Sequence, residues 1–173
     1  RALRLPVAQR SAEGLGLALM WAILLGATSF AEAAPDQTAI VFPILTPRIS
    51  SGFGNRVHPI RAYSAKHQGV DLAVPANSHV RAIMAGRVVF ADRYAGFGKL
   101  VTIEHPNGRT SLYGHLSEIL VNTGDSVPAG ALLGRVGSTG MATGPHLHFE
   151  WRIKGKSVDP LKVFPSLASD ADG

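Results

Sequence analysis

Three short segments of the sequence carry side chains that can bind a metal ion and move protons. They are His67-Gln68-Gly69-Val70-Asp71, Tyr113-Gly114-His115-Leu116 and His146-Leu147-His148-Phe149-Glu150. Imidazole nitrogens and carboxylate oxygens are good zinc ligands, and three protein ligands with an open fourth position are typical of catalytic zinc. Two histidines and one aspartate would supply three ligands, which leaves two histidines to carry protons or stabilise charge.

The third segment has the pattern of a β-strand. Apolar and polar residues alternate from His146 to Ile153, which predicts a half-buried strand with one apolar face. His146 and His148 then share the other face, with Cα atoms roughly 6.5 to 7 Å apart. That spacing suits one imidazole on a metal ion and a second imidazole beside it. An isolated His-x-His is more typical of an ordinary polar strand face than of a metal site.

The first segment needs a bend before it can serve one metal ion. In an extended strand His67 and Asp71 would lie about 13 Å apart, too far to share a ligand sphere. Gly69 permits such a bend. An ordinary polar turn, in which Asp71 caps backbone amides, remains an alternative. For His115 the alternative is a half-buried histidine that donates to a backbone carbonyl.

The rest of the sequence is typical of short strands and turns. Strand-like runs cover Val80–Phe90, Leu100–His105, Arg109–Tyr113 and Leu132–Val136. Pro106-Asn107-Gly108 lies between the second and third runs, and Asn-Gly at such a place predicts a β-hairpin. No helix of convincing length is indicated after residue 33. We therefore expect an all-β fold.

The N-terminus has the three parts of a secretory signal peptide. Basic residues precede residue 11, an uncharged apolar run extends from Gly14 to Ala31, and Ala31-Glu32-Ala33 supplies a small-residue cleavage pattern. We expect cleavage after Ala33. The apolar run is near the lower length limit for a spanning helix, so an uncleaved membrane anchor is the alternative. Only that alternative would give the protein a membrane association.

The predicted organisation is a leader followed by one domain. Residues 1–33 form the leader, 34–50 a proline-containing lead-in, 51–165 the domain and 166–173 a tail. The chain has no cysteine, so any metal site must use histidine and carboxylate ligands. Its formal net charge of +5 favours polyanionic partners. No dense Lys/Arg run or nucleic-acid motif is present, so we expect no nucleic-acid partner. The sequence does not indicate an oligomeric state.

Taken together, the segments resemble the M23 family of metallopeptidases, the lysostaphin-like or LytM-type domains. The resemblance covers about Ile49 to Pro165. It includes Gly54-Asn55-Arg56-Val57-His58-Pro59, the three segments above in the same order, and Gly137-Ser138-Thr139-Gly140 ahead of Thr143-Gly144-Pro145-His146. The segment from Thr143 to Glu150 is the most specific of these.

The resemblance implies a role for each residue of the set. His67, Asp71 and His148 match the ligands of one Zn²⁺ ion per domain, and His115 and His146 match two catalytic histidines beside it. The implied fold has antiparallel sheets that form a groove with the metal at its floor. Other polar residues are expected to be non-catalytic or supporting: His58, His79, His105 and Glu150.

The function implied by the resemblance is zinc-dependent hydrolysis of peptide cross-links in bacterial peptidoglycan. The D-Ala–diaminopimelate cross-link is favoured by family analogy over oligoglycine bridges. Peptidoglycan would then be the partner, and the protein would be exported to the periplasm, cell envelope or exterior. The alternatives are a non-enzymatic LytM-type activator of cell-wall amidases and a wall-binding module. The complete set of five key residues favours the enzyme.

Overall fold

The computed structural model describes residues 36, 38–57 and 64–169. The predicted leader, His58 and the last four residues of the predicted tail lie outside the described residues. The boundaries at residues 34, 51 and 166 stay predictions. Within the described ranges, no helix has the length and apolar character needed to cross a membrane.

The described chain consists of short strands joined by turns, with two four-residue helices after the last strand. The strands are β1 (Arg48–Ser51), β2 (Gly54–Val57), β3 (Ser64–His67), β4 (Val70–Ala73), β5 (His79–Arg81), β6 (Gly86–Tyr94), β7 (Gly98–His105), β8 (Arg109–Ile119), β9 (Ser126–Val127), β10 (Leu132–Val136), β11 (Leu147–Ile153) and β12 (Lys156–Val158). The helices are α1 (Pro160–Val163) and α2 (Ser166–Ser169). The predicted all-β fold is confirmed.

One large antiparallel sheet holds most of these strands. Its main path runs β1-β4-β11-β8-β7-β6-β9, while β12 pairs with β11. Strand β10 pairs with β5 and with the last residues of β8, and β2 pairs with β3 in a separate antiparallel pair. Strands far apart in the sequence, β4, β11 and β8, are therefore neighbours at the centre of the sheet.

The predicted hairpin between β7 and β8 is confirmed. The two strands pair from Lys99 with Leu116 to His105 with Arg109. Asn107 and Gly108 have φ values of 64° and 68°, the left-handed region that asparagine and glycine adopt most readily. The turn residues therefore set the register of the two longest central strands.

Strand β11 is more deeply buried than its sequence pattern predicts. Leu147 and Phe149 are fully buried in the core, as expected. On the opposite face, His148 and Glu150 are only 7% and 1% exposed. Their polar atoms bond to one another, and the Phe97 ring lies 5.4 Å from the His148 ring. A buried polar network thus replaces the solvated face that simple alternation predicts.

The lead-in segment is joined to the rest of the fold by hydrogen bonds and core packing. The Val41 N–H donates to the Ile83 carbonyl at 2.8 Å, and the Arg81 N–H donates to the Pro43 carbonyl at 2.9 Å. Ile44 is 2% exposed and belongs to the hydrophobic core. Strand β1 then pairs with β4, so this segment helps to hold the strand that carries Asp71.

Gly69 lets the turn between β3 and β4 lie directly against β11. A Cβ atom at this position would overlap the Phe149 carbonyl oxygen and approach the Glu150 side chain. The expected bend at Gly69 is present, and the close approach to β11 adds a second reason for glycine. His67 and Asp71 are brought together on either side of this contact.

We expect Gly69→Ala to destabilise the domain and to weaken metal binding, because the added methyl must push the turn away from β11. Overpacking of this kind costs about 1–3 kcal/mol. Thermal denaturation and zinc competition with a chromophoric chelator would measure the two effects. Gly144→Ala is the matched control, since a Cβ at Gly144 meets nothing within 4 Å. Equal behaviour of the two variants would contradict the packing argument.

Candidate metal centre and active site

Strand pairing brings the residues of the three segments to one place on the sheet. His67 ends β3, Asp71 lies in β4 and His148 lies in β11. In the sheet register, His148 pairs with Asp71 on one side and with Gly114 on the other. His115 therefore follows directly after the residue that pairs with His148. The sequence placed these residues in three separate segments, and the antiparallel pairing makes them neighbours.

His67, Asp71 and His148 form a compact triangle of ligand atoms. His67 Nε2 lies 3.1 Å from His148 Nδ1 and 3.1 Å from Asp71 Oδ1. His148 Nδ1 lies 2.9 Å from Asp71 Oδ1. These edges are close to the roughly 3.4 Å that separates ligands on a tetrahedral ion with bonds of about 2.1 Å. The three residues are the group that could hold a metal ion within the described part of the chain.

The hydrogen bonds behind the triangle fix the tautomers of both histidines. His67 Nδ1 lies 2.7 Å from the Gly52 carbonyl oxygen, which can only accept, so Nδ1 carries the proton. His148 Nε2 lies 3.1 Å from Glu150 Oε1 and donates to it in the same way. In the neutral rings, His67 Nε2 and His148 Nδ1 therefore point lone pairs at each other and at the Asp71 carboxylate. Three converging lone pairs suit a bound cation such as zinc.

The pKa values of Asp71 and His148 also indicate that the triangle attracts positive charge. Burial raises the pKa of the Asp71 carboxyl, but hydrogen bonds to His148 and His67 outweigh burial and hold that pKa well below its usual range. Burial lowers the pKa of His148, but hydrogen bonds to Asp71 and Glu150 outweigh burial and raise it. A cation placed among these groups would offset the negative charges of the Asp71 and Glu150 carboxylates.

His115 sits at an irregularity in β8 and has a left-handed backbone. Its φ is 62°, and the β7–β8 register advances three residues on β8 for two on β7 between Tyr113 and Leu116. Such a bulge re-aims a side chain and is common beside active sites. His115 Nδ1 donates to the Thr139 carbonyl at 2.8 Å, so its Nε2 carries the lone pair. Burial lowers the pKa of His115 to about 4.

His146 lies immediately before β11, and its ring lies beside the His115 ring at an interplanar angle of 60°. Its Nδ1 donates to the Gly144 carbonyl at 2.8 Å, and its Nε2 lies 3.8 Å from Asp71 Oδ1. The two ring centroids are 4.7 Å apart. In their neutral forms both imidazoles thus carry the proton on Nδ1, where a backbone carbonyl accepts it, and a lone pair on Nε2. Such groups can accept a proton and then donate it.

Of the other histidines, two lie in the described part of the chain, and both are away from this site. His105 is buried and bonds to the Ala85 carbonyl and the Ser111 hydroxyl, each at 2.8 Å. His79 is exposed in β5, where it pairs with Arg135. That neither residue is catalytic stays a prediction.

Comparison with known proteins gives the family. The model of peptidase family M23 matches residues 65–160. The DD-carboxypeptidase/endopeptidase Mpg of Neisseria meningitidis is 46% identical over 121 residues, which cover 70% of this chain and 28% of that protein.

This chain belongs to peptidase family M23.

Two further relatives agree with this assignment. The peptidoglycan DD-endopeptidase ShyA of Vibrio cholerae is 40% identical over 123 residues, covering 70% of this chain and 29% of that protein. A crystal structure of a zinc-containing peptidase from Vibrio cholerae superposes with a TM-score of 0.66 at 35% identity, covering 71% of this chain and 39% of the other. The chain thus spans less than a third of the curated M23 relatives named here.

Glu150 and Arg152 extend the metal centre of this M23 domain along β11. Glu150 is 1% exposed. Its Oε1 accepts from His148, while its Oε2 accepts from Arg152 Nε at 2.8 Å and Nη2 at 2.6 Å. The sequence predicts Glu150 as a supporting residue, but the contribution of Arg152 was not predicted. The two-residue alternation of β11 was the signal that could have found it.

Thr139 supports His115 from the loop between β10 and β11. Its hydroxyl accepts from the Lys99 N–H at 2.9 Å and donates to the Leu116 carbonyl at 2.8 Å. Its own carbonyl accepts the His115 Nδ1–H. Gly98 and Gly140 let the two loops interlock here, because a Cβ on either glycine would overlap the facing backbone. The sequence contains this segment as Gly137-Ser138-Thr139-Gly140 but does not indicate that it contacts His115.

Replacing Glu150 should weaken zinc binding while leaving the three ligands in place. Outer partners of metal-bound histidines are worth about 10–100-fold in metal affinity. We therefore expect Glu150→Ala to lose about that much, and Glu150→Gln to lose less because its amide oxygen can still accept from His148. Chelator competition measures the affinity. Glu118→Ala is the control, since Glu118 is an exposed carboxylate paired with Arg135. Unchanged affinity in both Glu150 variants would show that the contact is only structural.

Replacing Thr139 should impair catalysis without releasing zinc. Thr139→Val keeps the side-chain shape but loses both hydroxyl hydrogen bonds, so the carbonyl that orients His115 is no longer fixed. We expect kcat/KM to fall about tenfold, within the range that small misplacements of a catalytic group produce. Thr139→Ser retains the hydroxyl and should restore most of the activity. Zinc content, measured by atomic absorption, should be equal in all three proteins. Loss of zinc from Thr139→Val would contradict this role.

Proposed function

We propose that this protein is a zinc-dependent endopeptidase that hydrolyses peptide cross-links of bacterial peptidoglycan. The observation that carries the proposal is the pairing of a three-ligand triangle with two histidines whose Nε2 lone pairs lie beside it. M23 relatives named as DD-endopeptidases support the class of bond. The D-Ala–diaminopimelate cross-link is the specific bond that we propose.

In this proposal His67, Asp71 and His148 hold the zinc ion. The triangle presents two neutral nitrogens and one carboxylate oxygen, a ligand set found in catalytic zinc sites that keep an open position. When bound, zinc would lower the pKa of a coordinated water to about 7 and polarise a carbonyl group. Gly52 and Glu150 keep both imidazoles in the tautomers that binding requires.

His115 and His146 are proposed to move the protons. Each ring has its Nδ1–H held by a carbonyl and can accept a proton at Nε2 from the nucleophile. The protonated ring can then deliver that proton to the leaving amine. The other ring lies 4.7 Å away between centroids, and once protonated at Nε2 it would donate to the developing oxyanion. Either histidine can take either role.

We propose that the protein acts in the cell envelope after export. Peptidoglycan lies outside the cytoplasm, and the predicted leader at residues 1–33 would direct the chain there. The mildly basic net charge of +5 favours association with an anionic wall polymer.

The decisive test compares two histidine variants on cross-linked peptidoglycan, with products identified by mass spectrometry. We expect His148→Ala to lose zinc and activity together. We expect His115→Ala to keep zinc but to lose at least about 100-fold in kcat, since general acid–base groups contribute about 10²–10⁴-fold. His79→Ala, an exposed histidine in β5, is the control. Wild-type turnover by His115→Ala would overturn its catalytic role.

The same experiment separates the enzyme from its rivals. Loss of cross-linked dimers with new peptide termini would support the endopeptidase and identify the bond. Intact dimers with a full complement of zinc would overturn the proposal and favour an amidase activator or a wall-binding module.

A further inference from the structure

A pocket of about 310 Å³ lies on the sheet between β6, β7, β8 and β11, beside the candidate metal centre. Phe90, Tyr94 and Phe97 form its aromatic side, and Leu100 and Leu112 contribute aliphatic surface. This volume is at the lower end of the roughly 300–1,000 Å³ of ligand pockets. The pocket therefore suits one amino-acid side chain rather than a longer piece of polymer.

The pocket is continuous with the metal centre through two of its lining residues. Phe97 lies 5.4 Å from the His148 ring, measured between centroids. Arg152 donates to Glu150, which accepts from His148. Along β8, Leu112 is two residues before Gly114, the pairing partner of His148. Two strand residues correspond to about 7 Å. A substrate bound at the metal centre would place a neighbouring side chain over the pocket.

The charge and shape of the pocket indicate the chemistry of its occupant. Arg152 is the charged group among the described residues that line it. Its two bonds to Glu150 use two of the five guanidinium N–H groups, and its side chain is 29% exposed. Arginine binds carboxylates well. The opposite aromatic side is built as a ladder, with Phe90 to Tyr94 at 5.8 Å and Tyr94 to Phe97 at 6.3 Å between ring centroids. Aromatic faces attract ammonium groups.

We propose that this pocket binds a long aliphatic side chain that ends in a zwitterionic amino-acid group. Its methylenes would contact Leu100 and Leu112, its carboxylate would bind Arg152, and its ammonium group would face the aromatic ladder. The diaminopimelate residue that precedes the D-alanine of the cut bond has such a side chain. This inference rests on the proposed function and adds a specificity site to it.

The test uses the zinc-loaded full chain and two synthetic cross-linked peptides. The peptides are identical except that this diaminopimelate carboxylate is free in one and amidated in the other. We expect kcat/KM to be about tenfold higher for the free carboxylate. Equal kcat/KM values for the two peptides would overturn the proposal.

A charge placed in the pocket tests the site itself. Thr102 lies in β7 and lines the pocket. Thr102→Glu puts a carboxylate near Arg152 and should abolish the preference for the free carboxylate, whereas Thr102→Gln has nearly the same shape and should keep it. Ser126→Glu, exposed in β9, adds the same charge elsewhere and should also keep it. A preference that survives Thr102→Glu would overturn the assignment to this pocket.

Binding of the cleavage products separates this inference from the proposed function. Isothermal titration with the zinc-loaded protein needs no turnover. Tighter binding of the free-carboxylate product than of its amide, removed by Thr102→Glu, would support the pocket even if no peptide were cut, and the proposed function would then fail alone. Cleavage without any such difference in binding or turnover would leave the proposed function standing and overturn the pocket.

Discussion

Lone pairs of His67, Asp71 and His148 converge on one point, and the rest of the domain is organised around that constraint. Burying two imidazoles and a carboxylate with these atoms about 3 Å apart is unfavourable unless a shared proton or a metal cation lies among them. The surrounding structure fixes that arrangement at the cost of burying further polar groups. Gly52 supplies a carbonyl to His67, and Glu150 supplies a carboxylate to His148. Folding and metal binding would therefore be coupled in this domain.

The order of the strands in the sheet brings these ligand atoms together. Asp71 and His148 lie on adjacent strands and face each other directly in the register, while the opposite face of β4 and β11 is anchored in the core by Val70, Leu147 and Phe149. A rigid apolar layer thus holds a reactive polar layer, which limits the positional error of each ligand. His115 and His146 are held differently, by carbonyls of the loops around Thr139 and Gly144. The three candidate ligands lie on strands, whereas the orientation of these two histidines depends on loops.

Much of this arrangement could be predicted from the sequence, and the reasons differ from residue to residue. The alternation in β11 and the Asn-Gly turn are local signals, and both gave correct elements. The bend at Gly69 was predictable from residue type. Its contact with Phe149 was not, because it depends on strands about 80 residues apart. Thr139 escaped notice for the same reason, because the pairing of distant strands brings it near Lys99, Leu116 and His115. Arg152 differs, because its partner Glu150 is two residues away on the same face of β11 and the alternation of that strand could have indicated the contact.

The backbone conformation of His115 lowers the stability of the domain. Its left-handed backbone, at φ 62°, is one that glycine or asparagine adopts with less strain, and for other residues it costs on the order of 1–2 kcal/mol. Neither glycine nor asparagine has an imidazole, so neither could act as an acid–base group at this position. At this position the residue that the backbone favours and the residue that the chemistry requires are different. Selection for thermal stability alone would therefore favour replacement of this histidine.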